Sequence, residues 1–234
     1  YKGGALFLAG RTLSISVDLS QAGCGCNAAL YLVSMPQNRN ASSCGDYYCD
    51  ANSVCDVSCA ELDLMEANAV AFVSTVHVAT DPYGDGFGIG HYVVPKSKRL
   101  YSTESCAYGP SAECTIDTRR AFAADFSFSS SEEPFGIDVM LRQDDRVARY
   151  GQRVEYSVDP LAGKVKLQKD ANERLRGHLD AGMTLVMSYW SKETKAAMGW
   201  LDSTCTENEQ SEWNCTDAYL ENGQWPWLCR EGDP

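Results

Sequence analysis

Two absences narrow the classes of protein to which this sequence can belong. No stretch approaches the roughly 18 consecutive apolar residues that a membrane-spanning helix requires, and the mean hydropathy is −0.31. Basic residues are also scarce, since 20 Lys and Arg stand against 32 Asp and Glu and leave a net charge of −12. This charge repels nucleic-acid phosphates and anionic lipids. We therefore expect no nucleic-acid partner and no membrane insertion; a neutral or cationic partner fits better.

The sequence also lacks internal repeats and any Pro- or Ser-rich linker. Its 234 residues, 44% of them hydrophobic, can build one domain with a sizeable core. We predict a single domain over residues 1–203. Residues 204–234, with three cysteines and three tryptophans, are predicted to be an extension that disulfides staple to this body.

The eleven cysteines are dense for a cytosolic protein, and their spacings match no common metal-binding pattern with histidines. We therefore expect disulfides, a secreted extracellular protein, and no metal or cofactor. N-glycosylation sequons at Asn40 and Asn214 agree with secretion. The chain starts at Tyr1 without Met, so we expect that a leader or a longer N-terminal piece has been removed. The odd cysteine count predicts at least one thiol unpaired within the chain.

Strand patterns dominate the sequence. Runs of β-branched and aromatic residues predict strands at 12–18, 28–35, 59–66, 69–78, 121–128, 137–142, 154–158, 164–168 and 183–190. A short amphipathic helix is predicted over 170–179, with Gly182 as its stop. Many strands with one helix and no βαβ alternation favour an all-β fold, a curved antiparallel sandwich with a long cleft on its concave face.

Three carboxylates crowd the segment Glu61-Leu62-Asp63-Leu64-Met65-Glu66. On a regular strand Glu61 and Asp63 share a face and Glu66 points to the other one; a bulge near Leu64 and Met65 returns Glu66 to the first face. The two Glu Cα atoms are then roughly 13 Å apart, and their carboxyl groups can approach to about 5 Å. This gap suits a retaining glycosidase, although an acidic edge strand gives the same pattern.

Retaining hydrolysis needs one ionised carboxylate to attack the anomeric carbon and one protonated carboxyl to release the leaving oxygen. Asp63 lies between the two Glu residues in sequence. A hydrogen bond from Asp63 could orient Glu61, while the charge of Asp63 favours a proton on Glu66. The pattern therefore predicts a catalytic set on one strand.

Several segments resemble glycoside hydrolase family 7, the cellobiohydrolases and endoglucanases. They cover about half of the chain, in the family's order: residues 8–20, 24–35, 48–50, 59–68, 182–190 and 198–204. The resemblance implies a curved β-jelly roll that hydrolyses β-1,4-glucan with retention. It further implies that Glu61 is the nucleophile, Asp63 its partner, Glu66 the acid/base, and His77 a histidine close to the acid/base.

The same resemblance assigns five residues to substrate binding. Trp190 and Trp200 match tryptophans that stack on sugar rings on either side of the cleavage point. Asn27, Tyr31 and Asp50 match residues that line the cleft. Without the resemblance, core positions would be the favoured interpretation of the two tryptophans.

The chain also departs from the family. The family is nearly twice as long, and its N-terminal strands have no counterpart before Tyr1, so we expect either a fragment, which a missing segment or a partner chain completes, or a reduced fold. The loop between Cys49 and Glu61 is short, which favours an open cleft and internal cleavage. A Cys49–Cys59 disulfide is expected by comparison with the family. Cys24 or Cys26 is expected to reach a C-terminal cysteine, and Cys106 could pair with Cys114.

A secreted retaining β-glucanase is the first hypothesis for the function. The alternative is a non-catalytic carbohydrate-binding or structural wall protein on the same fold, because a shortened chain can keep a groove that binds without cutting. A lyase or transglycosylase also stays open, as does the linkage of the glucan.

Overall fold

A computed structural model describes residues 4–77, 106–130, 135–153, 171–191 and 198–202. Within these ranges the chain forms eleven strands, two α-helices and one short 3-10 helix. In chain order they are β1 (Ala5–Leu6), β2 (Thr12–Val17), β3 (Cys26–Val33), the 3-10 helix (Met35–Gln37), β4 (Glu61–Ala67), β5 (Phe72–His77), β6 (Tyr108–Gly109), β7 (Ile116–Asp117), β8 (Phe122–Phe128), β9 (Gly136–Gln143), β10 (Arg146–Arg153), α1 (Ala171–Ala181), β11 (Met183–Ser191) and α2 (Gly199–Asp202). Neither α-helix is long and apolar enough to span a membrane.

Two antiparallel sheets form most of the described structure. The first, sheet A, has the order β1-β11-β3-β4-β5, and the second, sheet B, has the order β10-β9-β8-β2. The two-residue strands β6 and β7 form a small parallel pair of their own. Since β3 lies between the distant strands β11 and β4, sheet A brings residues far apart in sequence onto one surface.

The core lies between the two sheets and explains the hydrophobic runs in the sequence. Sheet A contributes Leu30, Leu32 and Leu62, and sheet B contributes Phe126 and Val139, all of them buried. One cluster of buried residues includes side chains from both sheets. The alternation of apolar and polar residues along these strands therefore reflects one face on the core and one face away from it.

Tyr108 joins the segment before β7 to this core. Its ring meets Phe72 and Phe122 edge to face, at centroid distances of 5.8 and 5.9 Å. Its hydroxyl donates to the backbone carbonyl of Asn68 at 2.8 Å. The buried phenol thus satisfies its polar end while its ring packs between strands of both sheets.

The predicted helix is present as α1, and Gly182 directly follows it. Gly182 has a φ of +89° and its N–H donates to the carbonyl of Leu179 at 3.3 Å. An added Cβ would lie 3.0 Å from the Cβ of Ala5 and 3.1 Å from the ring of Phe7. Glycine is therefore required both by the left-handed turn and by the close approach of β1.

The predicted fold class, a curved antiparallel β-sandwich, is confirmed. Besides the one predicted helix, the described residues contain the short helix α2 and a 3-10 helix. The strand pattern missed β10, whose sequence is mostly polar, as well as the short strands β1, β6 and β7. The strands predicted at 154–158 and 164–168 lie outside the described residues, as does the extension predicted over 204–234.

Truncation of a core leucine should destabilise this fold strongly. Leu62 on β4 is fully buried, whereas Met187 on β11 is 79% exposed. We expect Leu62→Ala to lower the free energy of unfolding by about 2–5 kcal/mol, because it removes buried methyl groups and leaves a cavity. Met187→Ala, the control, should change it by less than about 0.5 kcal/mol. Urea denaturation measures both, and equal effects of the two variants would contradict the assignment of the core.

Candidate active site

A β-bulge in β4 shapes the acidic segment. Leu30 pairs with Met65 and the next residue of β3, Tyr31, pairs with Asp63, so that Leu64 is the extra residue. The β4–β5 register shifts at the same place, between Asp63 and Glu66. The hydroxyl of Ser74 donates to the backbone carbonyl of Asp63 at 2.8 Å, at the start of the bulge. The bulge predicted near Leu64 and Met65 is thus present.

The bulge brings three carboxyl groups to one face of sheet A. Glu61, Asp63 and Glu66 pair with residues 33, 31 and 29 of β3, which alternate along that strand and therefore share a face. This face points away from the core that Leu30, Leu32 and Leu62 form on the other side. Glu61 and Asp63 are 7% and 6% exposed, and Glu66 is half-buried.

Each carboxyl group has a different neighbour. The Glu61 Oε2 atom accepts a hydrogen bond from the Ala51 backbone N–H at 2.9 Å. The Asp63 Oδ2 atom lies 3.1 Å from Nε2 of His77, and the Glu66 Oε1 atom accepts from Nδ2 of Asn27 at 3.0 Å. His77 is therefore in contact with Asp63 and lies opposite Glu61 in the β4–β5 register. Three different partners make the three acids chemically unequal.

Burial and mutual repulsion raise the pKa of both glutamates. For Glu61 and for Glu66, burial is the larger cause and the charge of Asp63 the second. The Ala51 N–H and His77 act in the opposite direction on the pKa of Glu61, as do Asn27 and His77 on that of Glu66. This face therefore retains protons at a pH at which free carboxyl groups have lost them.

The remaining polar residues assigned from the sequence lie close to this set. The hydroxyl groups of Tyr31 and Tyr48 are 2.9 Å apart, and burial raises the pKa of both phenols. Asp50 is buried, and its Oδ1 atom accepts from the Val54 N–H at 3.0 Å. Asp50 and Glu61 interact electrostatically, because the charge of Asp50 contributes to the raised pKa of Glu61.

The two tryptophans assigned to sugar stacking lie against each other. Their ring centroids are 6.3 Å apart and their planes are inclined by 29°. Trp190 is the direct cross-strand partner of Asn27, which contacts Glu66. Because paired residues share a face, Trp190 lies on the carboxylate face of sheet A. Both tryptophans are partly buried and also pack against the hydrophobic core.

Two disulfides lie in the segment before β4, and a third lies in the segment of β6 and β7. Cys49 bonds to Cys59, Cys44 to Cys55, and Cys106 to Cys114. Cys24 and Cys26 are also disulfide-bonded; the C-terminal cysteines expected as partners lie outside the described residues. Of the two sequons, Asn40 is exposed, and Asn214 lies outside the described residues.

Two groups of this site, the Ala51 N–H and the Tyr48 hydroxyl, were not predicted from the sequence. The Ala51 N–H belongs to the main chain, so no residue type could signal it. Tyr48 could have been found from its position next to Cys49 and Asp50, but only a contact with Tyr31 gives it a place in the site.

Comparison with known proteins finds curated relatives that are endoglucanases. No protein-family profile matches the chain. The endoglucanase EG-1 of Hypocrea jecorina is 28% identical to this chain. The alignment is 234 positions long and covers 85% of this chain and 46% of that protein. The chain thus spans about half the length of this curated relative.

Solved structures share the fold. An endoglucanase I complexed with cellobiose superposes with a TM-score of 0.54 and 26% identity, covering 85% of this chain and 60% of the other. A GH7 family cellobiohydrolase from Daphnia pulex gives a TM-score of 0.58 at 20% identity, covering 85% and 61%. These matches agree with the β-jelly roll expected from the sequence.

The raised pKa values predict how stability depends on pH. In the unfolded chain Glu61 and Glu66 lose their protons near the ordinary value of 4.5, whereas in the folded chain they retain them to higher pH. The folded state then binds more protons, so the free energy of unfolding falls as the pH rises above 4.5, by at most about 1.4 kcal/mol per pH unit for each carboxyl.

We expect the double variant Glu61→Gln, Glu66→Gln to remove this contribution. Urea denaturation from about pH 5 to about pH 7 should give a steeper decrease in stability for the wild type than for the double variant. Parallel pH dependences would show that the two carboxyl groups titrate normally in the folded chain.

Proposed function

We propose that this chain is a relative of glycoside hydrolase family 7 with the same kind of activity. The chain hydrolyses a β-1,4-glucan internally, with retention of the anomeric configuration. The observation that carries this proposal is the bulge at Leu64, which puts Glu61, Asp63 and Glu66 on one face of sheet A.

In the first step Glu61 attacks the anomeric carbon as a carboxylate while Glu66 donates its proton to the leaving glycosidic oxygen. The bond from the carbon to that oxygen breaks, and an ester bond from the carbon to Glu61 forms. The raised pKa of Glu66 agrees with its role as the acid. Because the pKa of Glu61 is raised as well, the two roles are assigned from the family resemblance, and Glu61 attacks only in the fraction of chains in which it is ionised.

In the second step the same residues act in reverse. Glu66, now a carboxylate, removes a proton from water, and the water oxygen displaces Glu61 from the anomeric carbon. Glu61 returns as a carboxylate and Glu66 as an acid. Two inversions at one carbon give net retention.

Asp63 and His77 control the charge next to the two glutamates. Protonated His77, 3.1 Å from Asp63, offsets part of the negative charge between the two glutamates and favours the ionised form of both. Asn27 donates to Glu66 and fixes the position of its carboxyl group. We assign Asp63 and His77 as a charge-balancing pair and Asn27 as a ligand of the acid/base.

Trp190, Trp200, Tyr31 and Asp50 form the sugar-binding part of this proposal. An indole face packs well on the apolar side of a pyranose, and Trp190 lies beside Asn27. A phenol pair and a carboxylate offer hydrogen-bond groups to sugar hydroxyls. Binding of β-glucan is supported by the complex of the similar endoglucanase I with cellobiose.

Internal cleavage and secretion complete the proposal. The curated relative reported above is called an endoglucanase, and the loop from Cys49 to Glu61 is short, which favours an open cleft. Three disulfides among the described residues support an oxidising compartment, and the exposed Asn40 is available for glycosylation. We propose a secreted, extracellular enzyme.

A non-catalytic carbohydrate-binding protein is the second candidate function. It is favoured by one feature of the sequence, the closely spaced Trp225 and Trp227, because an indole face packs on the apolar side of a sugar ring. The four residues Glu61, Asp63, Glu66 and His77 favour the enzyme, because binding alone needs no acid paired with a nucleophile. A binder would retain glucan without releasing products.

The first experiment replaces the nucleophile. We expect Glu61→Gln to lower the rate of hydrolysis of a soluble β-1,4-glucan by at least about a thousandfold, since an amide cannot form the glycosyl ester. Reducing ends are counted over time, and near-ultraviolet circular dichroism verifies that the variant is folded. Activity retained by a folded variant would refute the role of Glu61.

The second experiment separates the acid from the nucleophile. We expect Glu66→Gln to reduce hydrolysis of unactivated glucan by about 10²–10⁴-fold, but the formation of the glycosyl ester from an aryl glycoside with a good leaving group by less than about tenfold. The burst of released phenol measures this step. Equal losses on both substrates would contradict the role of Glu66 as general acid.

A further inference from the structure

The segment directly before β4 is closed by a disulfide and lies next to Glu61. We call residues 49–59 the Cys49–Cys59 loop. Cys49 and Cys59 are both buried, and their Cα atoms are 5.5 Å apart. The two cysteines pack with Val33 and Met35. Since Cys59 is two residues before Glu61, the loop is tied to the start of the catalytic strand at one end and to β3 through this packing.

Backbone hydrogen bonds fix the loop at Asp50. The Cys59 N–H donates to the Asp50 carbonyl at 3.0 Å, and the Asp50 N–H approaches the Val57 carbonyl at 3.4 Å. The Asp50 carboxylate accepts from the Val54 N–H at 3.0 Å. Asp50 is thereby held through its N–H, its carbonyl and its side chain, which determines the direction of the next N–H, that of Ala51.

The loop adopts unusual backbone conformations to close this way. Ser53 and Asp56 have φ values of 55° and 64°, in the left-handed region that non-glycine residues rarely adopt. Such conformations persist where the surrounding contacts fix them. The disulfide and the Asp50 hydrogen bonds are contacts of this kind.

The charges of Asp63, on the same strand, and of Asp50, in the loop, oppose ionisation of Glu61, whereas His77 on β5 favours it. The titratable groups Glu66, Tyr31 and Tyr48 also face Glu61. Burial raises the pKa of both phenols, which are therefore neutral. A nucleophile must be ionised here, so a donor aimed at its carboxylate has a specific use.

We propose that the Cys49–Cys59 loop positions the nucleophile, holding the Ala51 N–H so that it donates a hydrogen bond to Oε2 of Glu61 and favours the ionised carboxylate. The observed distance is 2.9 Å, and both partners are buried. This role rests on the proposed function for its catalytic meaning. The hydrogen bond is supplied by the main chain, so it does not depend on the side chain at position 51, and only proline lacks the donor.

The test removes the Ala51 N–H donor and measures the pKa of Glu61 directly. We expect Ala51→Pro to raise the pKa of Glu61 by about one to two, because a hydrogen bond to a charged group is lost. The titration is followed by NMR of ¹³C-labelled glutamate, with the Glu61 resonance identified by its absence in Glu61→Gln. Ala51→Gly, which keeps the N–H, should leave that pKa within about 0.3 of the wild-type value.

A second pair of variants covers the case in which Ala51→Pro does not fold. Cys49→Ser with Cys59→Ser opens the loop at its base, whereas Cys106→Ser with Cys114→Ser opens a disulfide of similar span outside the loop, 8 residues against 10. Only the first pair should raise the pKa of Glu61 and move the acidic limb of kcat/KM to higher pH. At a pH below the pKa of Glu61, kcat of the Cys49→Ser, Cys59→Ser variant should fall about tenfold for each unit by which that pKa rises. KM should change little.

The outcomes separate this role from the proposed function. If Ala51→Pro raises the pKa of Glu61 but the wild type hydrolyses no glucan, the positioning role is supported and the proposed hydrolase activity is refuted. An unchanged pKa of Glu61 in folded Ala51→Pro, or equal shifts in the two cysteine pairs, would overturn the positioning role even if the wild type hydrolyses glucan.

Discussion

The bulge at Leu64 in β4 is the constraint on which the rest of the site depends. A regular strand would turn Glu66 toward the hydrophobic core that Leu62 and its neighbours form with sheet B. One extra residue keeps the leucines on the core and returns Glu66 to the face of Glu61 and Asp63. The same strand therefore satisfies the core on one side and concentrates three carboxyl groups on the other.

This concentration of charge explains the contacts that surround it. Three buried or half-buried acids cannot all be ionised at low cost, and each has acquired a neighbour that stabilises negative charge: the Ala51 N–H, His77 or Asn27. The neighbours come from the loop before β4, from β5 and from β3. The order of strands in sheet A thus decides which groups control the protons of the site.

Much of the fold could be predicted from the sequence, because hydrophobic periodicity determines which face of a strand packs on the core. The strands β2, β3, β4, β5, β8, β9 and β11 and the helix α1 lie within a few residues of their predicted bounds. The strand β10 was missed since it carries three arginines and an exposed Val147; it is specified by pairing with β9 after the turn at Asp144, whose φ is 54°. Pairing of this kind leaves little trace in composition.

The site was predictable in its residues and less so in its contacts. The spacing of Glu61, Asp63 and Glu66 required a bulge at Leu64, and the bulge is there. The sequence suggested that Asp63 orients Glu61 by a hydrogen bond, whereas the Asp63 carboxylate contacts His77 and acts on the pKa of Glu61 through its charge. Contacts such as Ala51 to Glu61 depend on the path of a loop, which no local pattern encodes.

The configuration of the first product tests the central claim most directly, that two carboxyl groups on one face carry out double displacement. Proton NMR at early times, during hydrolysis of a soluble β-1,4-glucan, distinguishes the anomers of the new reducing ends before they equilibrate. Double displacement predicts that the β-anomer appears first. The α-anomer appearing first would show single displacement by water and would contradict the role given to Glu61.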